Sequence, residues 1–169
     1  MAKKADNKKL IFLVAMVLGI LAIVMYFLPM IVFKANLIGE TKVNFSGFNL
    51  VFGAKEVKGT TVIGSSSTAY SYEREVKMTV GALVSLICTA VALVAGVLSK
   101  MVAKKNQVIV KAVSCLVFIA AAVLVVALVR TTFESAGNNA FSMDYYSLGI
   151  GAYLVCAFNG LAGVAVLLS

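Results

Sequence analysis

Four long stretches nearly free of charge constrain this chain more than any other feature. Residues 10–33 run for 24 positions without a charged side chain. Residues 78–99, 108–129 and 145–168 repeat the pattern, interrupted only by Lys111. About 20 consecutive apolar residues suffice for a helix to cross the hydrocarbon of a bilayer. A signal peptide is the rival reading of the first stretch, but its apolar core would be only ~7–15 residues long and a small-x-small site would follow it. Pro29 then falls near the outer end of an uncleaved first helix, where a kink is tolerated. With 62% hydrophobic and 13% charged residues, the chain has too little polar surface to cover a water-soluble core. The expected fold is a membrane all-α bundle, a single four-helix domain over residues 1–169. Residues 34–77 and 130–144 form its polar loops.

Charge sets the orientation. Lys3, Lys4, Lys8 and Lys9 precede the first stretch, and Lys100, Lys104 and Lys105 sit between the second and third without an acid beside them. On the other side, residues 34–77 mix six basic with four acidic side chains, and residues 130–144 carry Arg130, Glu134 and Asp144. Basic clusters stay on the cytoplasmic side. The expectation is a multi-pass plasma-membrane protein with both termini cytoplasmic and both polar loops extracellular. Lys111 lies one turn inside its stretch and can snorkel to the interface. In the absence of Trp, Tyr26, Phe27, Phe33, Phe133, Tyr145 and Tyr146 would line the interfacial boundaries. The chain's end at Ser169 leaves no cytoplasmic tail in this reading. The net charge of +8 sits beside apolar runs, which argues for the lipid bilayer as partner and against nucleic acid.

The polar segment 34–77 reads as a small extracellular β-sheet. Val43 and Phe45, then Phe48, Leu50 and Phe52, alternate with a one-residue phase shift at Ser46-Gly47, which suggests a bulge. Lys55, Glu56 and Lys58, between Gly53 and Gly59, suggest a turn or short hairpin. Residues 60–63 are β-branched throughout, residues 64–67 read as a turn, and residues 68–76 alternate around Tyr70 and Tyr72. A meander of three or four short strands results. Phe45, Phe48, Leu50, Phe52, Tyr70 and Tyr72 form its candidate interaction surface. A plain inward-facing lid is an equally good account of large aromatics at alternate positions. Cys88, Cys115 and Cys156 all fall in apolar stretches, so no disulfide braces this segment.

Small residues recur at helical spacing. Gly81, Ser85, Cys88, Ala92 and Gly96 share a face of the second span. Gly149, Ala152, Cys156, Gly160 and Gly163 share one of the fourth. Such stripes let helices approach closely, and packing within the chain explains them better than dimerisation. Asn159 is the strongly polar residue deep in a span, read as an interhelical hydrogen bond. Residues 81–99 and 151–169 share Ala92/Ala162, Val94/Val164 and Ala95/Ala165, a faint sign of duplication.

Catalytic chemistry has little to work with. There is no His, and no phosphate-binding loop or nucleophile–base pair is legible. No cofactor, metal or enzymatic activity is expected. Four spans with a long β-rich first loop and a short second one resemble the claudin-like layout in topology, without the Trp and paired cysteines that claudins carry in the first loop. Ser46-Gly47-Phe48 followed by Phe52-Gly53, after a lysine-led first helix, resembles uncharacterised small four-pass membrane proteins of low-GC Gram-positive bacteria. The functional expectation is a non-enzymatic membrane protein acting through its outer sheet, in self-association as a homo-oligomer or as an accessory subunit of an envelope complex. The alternative is a small channel or transporter subunit.

Overall fold

The computed structural model describes residues 2–36, 40–63 and 66–169, and side chains throughout these except those of residues 2–6, Asn36, Lys58 and residues 69–74. In chain order they form α1 (Ala2–Val24), a 3-10 turn (Met25–Phe27), β1 (Pro29–Asn36), β2 (Glu40–Ser46), α2 (Gly47–Phe52), β3 (Ala54–Ile63) and β4 (Ser66–Val76). Then follow α3 (Val80–Leu98), α4 (Lys104–Ser135), a second 3-10 turn (Met143–Tyr145), β5 (Tyr146–Leu148) and α5 (Ile150–Leu168). Four helical segments, Asn7–Phe27, Val80–Leu98, Lys104–Ser135 and Ile150–Leu168, are long and apolar enough to cross a membrane. The rest is chiefly a small antiparallel sheet. The chain divides into two compact units.

The first unit comprises Met1–Val24, Val84–Val125 and Leu154–Ser169. Its core is Ala15, Ala92, Phe118, Ala162 and Val166, so one large ring is surrounded by small side chains. Glycine makes this packing close. A methyl on Gly163 would stand 3.1 Å from the Cys115 carbonyl oxygen, and one on Gly96 would stand 2.8 Å from the end of Met16. Two serines tie α3 to α4 reciprocally: Ser85 donates to the Ala121 carbonyl at 3.0 Å and Ser114 to the Ala92 carbonyl at 2.8 Å. Such bonds contribute about 0.6 kcal/mol each in a membrane, because the unfolded helices find other partners there. The outward faces, with Leu13, Ile20, Val91, Leu116 and Leu161 all exposed, are apolar. That arrangement suits lipid and would be untenable as a water-facing surface of this size.

Buried positions repeat between α3 and α5, which are both 19 residues long. Ala82, Ser85, Thr89, Ala92 and Ser99 are matched in order by Ala152, Val155, Asn159, Ala162 and Ser169, and every one is buried. The shared alanines of the sequence thus belong to a shared burial pattern. Lys111, at the start of the third apolar stretch, donates from Nζ to the main-chain oxygen of Ser169.

The second unit comprises Met25–Leu83 and Val126–Tyr153. Its sheet has five strands in the order β4-β3-β2-β1-β5, all antiparallel. Here the structure corrects the sequence reading of residues 10–33. The helix ends at Val24, and Pro29 opens a strand rather than kinking a span. Proline has no N–H for a ladder and pushes the residue before it out of the helical region, so the first position of a strand suits it. β1 is an interior strand, flanked by β2 and β5, with Met30, Ile31, Val32, Phe33 and Ala35 all buried. A strand covered on both faces loses the alternation that would reveal it and reads like part of a helix.

Three further expectations change. The phase shift at Ser46-Gly47 is a strand-to-helix switch, not a bulge. The Ser46 hydroxyl caps α2 by accepting from the Asn49 N–H at 3.2 Å. Lys55, Glu56 and Lys58 lie within β3 and form no turn. The fourth span begins at Ile150, because residues 146–148 are recruited as β5, which pairs Ile31 with Leu148 and Phe33 with Tyr146. Residues 64–65 of the expected turn lie outside the described residues, while Ile63 and Ser66 on either side of them are paired.

Glycine substitutions distinguish close approach from open space. A methyl on Gly81 would stand 2.8 Å from the Leu128 carbonyl oxygen on α4, whereas Gly160 has nothing within 4 Å. Gly81→Ala lowers the thermal midpoint of the detergent-solubilised protein, while Gly160→Ala leaves it unchanged or raises stability by up to about 1 kcal/mol.

Candidate functional site

The candidate surface residues separate into two groups. Phe45 and Leu50 are 2% and 0% exposed, so they are core residues and not part of a surface. Phe45 meets Phe133 of α4 edge-on, with ring centroids 5.1 Å apart, and Phe133 lies 5.4 Å from Tyr146 of β5. This cluster welds the sheet to the end of α4. Phe33 and Tyr26 are buried with it in the same unit, so four aromatics expected at a lipid boundary are structural: Tyr26, Phe33, Phe133 and Tyr146. Tyr26 is further held by donating to the Ala82 carbonyl at 3.5 Å.

Phe48 and Phe52 are exposed, at 44% and 63%. They are four residues apart on α2 and so share a face. Their centroids are 4.6 Å apart, and Phe48 stacks on the exposed Phe27 at 5.0 Å. Leu50 and Val51 turn the other way into the core. Gly53 ends the helix at φ 78°, ψ 164°, a backbone region open essentially to glycine alone.

Tyr70 and Tyr72 stand on β4, paired with Gly59 and Val57. Their side chains lie outside the described residues. β4 is 11 residues long and, among the described residues, pairs only with β3, so it is an edge of the sheet. The opposite edge, β5, is 3 residues long. Near its end β4 carries one extra residue: Ala54 pairs with Val76, but Glu56 pairs with Glu73. The bulge so formed bends the strand beside Lys55.

Asn138 is a structural residue that the sequence reading did not single out. α4 ends in a glycine cap, with Gly137 at φ 71°, its N–H bonded to the Glu134 carbonyl and the Asn138 N–H to that of Phe133. The cap delivers the Asn138 side chain to the junction of β4 and α3. There the Lys77 N–H donates to Oδ1 at 2.7 Å, and Nδ2 donates to the Lys77 carbonyl at 2.8 Å and the Thr79 hydroxyl at 3.3 Å. The Gly-Asn pair after the apolar run was the available signal.

The helix-packing residues largely face inward. Gly81, Ser85, Ala92, Gly96, Gly149, Ala152, Asn159 and Gly163 are buried, and Cys88, Cys156 and Gly160 are half-buried. A methyl on Gly149 would collide with the Pro29 carbonyl, so α5 begins in direct contact with β1. Asn159 is fully buried, yet neither end of its amide has a hydrogen-bond partner. It does not make the interhelical bond expected of it. All three cysteines are free, and no cluster of three metal-ligating side chains occurs among the described residues.

No protein-family model matches the chain, and no curated protein matches it.

Replacing Asn138 by Leu strips the Lys77 main chain of both partners. A fully buried group left unsatisfied costs about 1–3 kcal/mol, and these partly buried ones cost less. Asn138→Leu therefore lowers the thermal midpoint and speeds proteolysis between β4 and α3, while Asn139→Leu, at a neighbouring half-buried position, has a much smaller effect.

Proposed function

We propose that this chain is a non-enzymatic, multi-pass plasma-membrane protein whose β-sheet is a docking element outside the cell, engaging a second copy of the chain or another envelope protein. The observation that carries the reading is β4, a long edge strand in a sheet whose other edge is only a three-residue strand. An edge strand presents unpaired N–H and C=O groups to any strand laid beside it, and proteins usually shorten, charge or cover such edges. Only the helix-proximal part of β4 is so treated, by the bulge and by Glu73-Arg74-Glu75. Residues 66–72 carry no charge.

The orientation, with both termini cytoplasmic and residues 34–77 and 130–144 extracellular, rests on the lysine clusters at residues 3–9 and 100–105. Four candidate spans joined by a long strand-bearing connection and a short one support a claudin-like layout. The absence of His from the sequence supports a role without catalysis.

Self-association is tested by moving one cysteine. In a background lacking Cys88, Cys115 and Cys156, Ser67→Cys on β4 gives crosslinked dimers in native membranes, whereas Glu134→Cys does not. A strict monomer with no retained partner, by crosslinking and native mass spectrometry, overturns the reading.

A second reading, a channel or transporter subunit, is favoured by one observation: the buried amide of Asn159 without partners. Orphaned polar groups in a span are costly and gather along polar paths. Solute flux in reconstituted vesicles that disappears with Asn159→Leu would select it.

A further inference from the structure

We propose that the shallow cleft between the start of β3 and the end of β4 holds the headgroup of an anionic glycerophospholipid. The cleft has a volume of about 510 Å³, and Phe52, Lys55, Glu75, Lys77 and Met78 line it. Small-molecule sites run to ~300–1,000 Å³, so one headgroup fits. The inference rests on the membrane placement of the helices and is independent of docking at β4.

Depth is the first support. Met78 lies two residues before α3, one of the segments apolar enough to cross a membrane. Phe27 closes another such segment, Asn7–Phe27. The stack Phe27–Phe48–Phe52 carries that level across to the cleft. All three rings and Met78 are exposed, an apolar rim beside the ends of two candidate spans, which the proposal puts where the headgroup and acyl layers meet. Aromatic side chains concentrate at that depth.

Charge is the second support. Lys55 and Lys77 are exposed, and neither is paired among the described residues. Ammonium groups at a membrane surface attract anionic lipid. Glu75, the third charged lining residue, leaves the cleft at a net +1. Its carboxylate can accept from hydroxyl groups, which fits a glycerol headgroup whose phosphate lies against the two lysines. Phe52 and Met78 then meet the first acyl carbons.

The site is also built in advance. Gly53 turns the chain between Phe52 and Lys55 through its glycine-only conformation, where a methyl would stand 2.9 Å from the Val76 carbonyl oxygen. The bulge opens the ladder opposite Lys55, and Asn138 fixes the Lys77 main chain on both its N–H and its C=O. Pre-organised groups lose less freedom on binding.

The test uses the full chain reconstituted in vesicles of equal parts phosphatidylglycerol and phosphatidylcholine, with retained lipids counted by native mass spectrometry after detergent extraction. Phosphatidylglycerol is expected to be retained preferentially, and Lys55→Gln with Lys77→Gln to reduce that preference roughly tenfold. Lys34→Gln with Lys42→Gln, a pair facing each other across β1 and β2, should leave it unchanged. Raising ionic strength should weaken retention by the wild-type chain, a readout independent of how any variant folds. Equal retention of the two lipids, or retention indifferent to both salt and the Lys55/Lys77 substitutions, overturns the proposal. So does displacement by millimolar inorganic phosphate, which would identify a free-phosphate site. None of these outcomes bears on crosslinking through β4, so the two proposals fail separately.

Discussion

The second unit depends on hydrogen bonding along β1. This strand follows the first apolar helix almost at once and is paired on both edges, with β2 from Pro29–Ser46 to Asn36–Glu40 and with β5 from Ile31–Leu148 to Phe33–Tyr146. Without it, β5 would be three residues with no partner, and β2 would become an edge. An isolated hairpin is marginal in water, and three or more strands with a covered face are needed for stability. β1 supplies both requirements, since its residues join the polar connection to the aromatic cluster of Phe33, Phe45, Phe133 and Tyr146. It also explains how a sheet persists here without a disulfide: the covalent brace is replaced by a strand continuous with a long helix.

The helices obey a different constraint. Between apolar helices in lipid there is no hydrophobic drive to associate, so close contact must come from small side chains and shared hydrogen bonds. Gly19, Gly96 and Gly163 bring the chain against Leu93, Met16 and Cys115, while Ser85 and Ser114 tie α3 to α4 in both directions. The matching burial of α3 and α5 follows the same logic, with Ala82, Ala92 and Ser99 answered by Ala152, Ala162 and Ser169. Two pairs break the match chemically, Ser85 with Val155 and Thr89 with Asn159. Thr89 satisfies its hydroxyl on the Ser85 carbonyl of its own helix, but its counterpart Asn159 carries two polar atoms and finds no partner for either.

The sequence declared the helices because length and apolarity are one-dimensional properties, and α3 lies within two residues of residues 78–99. The small-residue stripes were legible for the same reason, as a spacing on one helix. Three things were hidden, each for a physical reason. β1 reads as helix because burial on both faces erases its alternation. Phe45 and Leu50 share a strand period with Phe48 and Phe52 only if that period continues through Gly47, where the chain becomes helical and the face that points inward changes. The Asn138 clamp depends on a pairing across 61 residues, which no local pattern encodes.

The two edges of the sheet complete the physical picture. β5 is too short to template another strand, and its surroundings are already tied down: the Tyr146 hydroxyl accepts from the Ala140 N–H at 3.0 Å, and Arg130 donates to the Met143 carbonyl, in the turn that leads into β5, at 2.8 Å. β4 is long, yet its two halves differ. Residues 73–75 are charged, and the stretch 73–76 is bulged and adjacent to the Asn138 clamp, so an incoming strand there would have to displace existing order. Residues 66–72 continue the regular ladder with β3 and carry only hydroxyl, methyl and phenol side chains. A partner strand would therefore be guided to the end of β4 away from α3, and the lysine-lined cleft beside the bulge would stay open to lipid. The proposed protein docking and the proposed lipid binding would then divide one strand between them without competing for the same backbone groups.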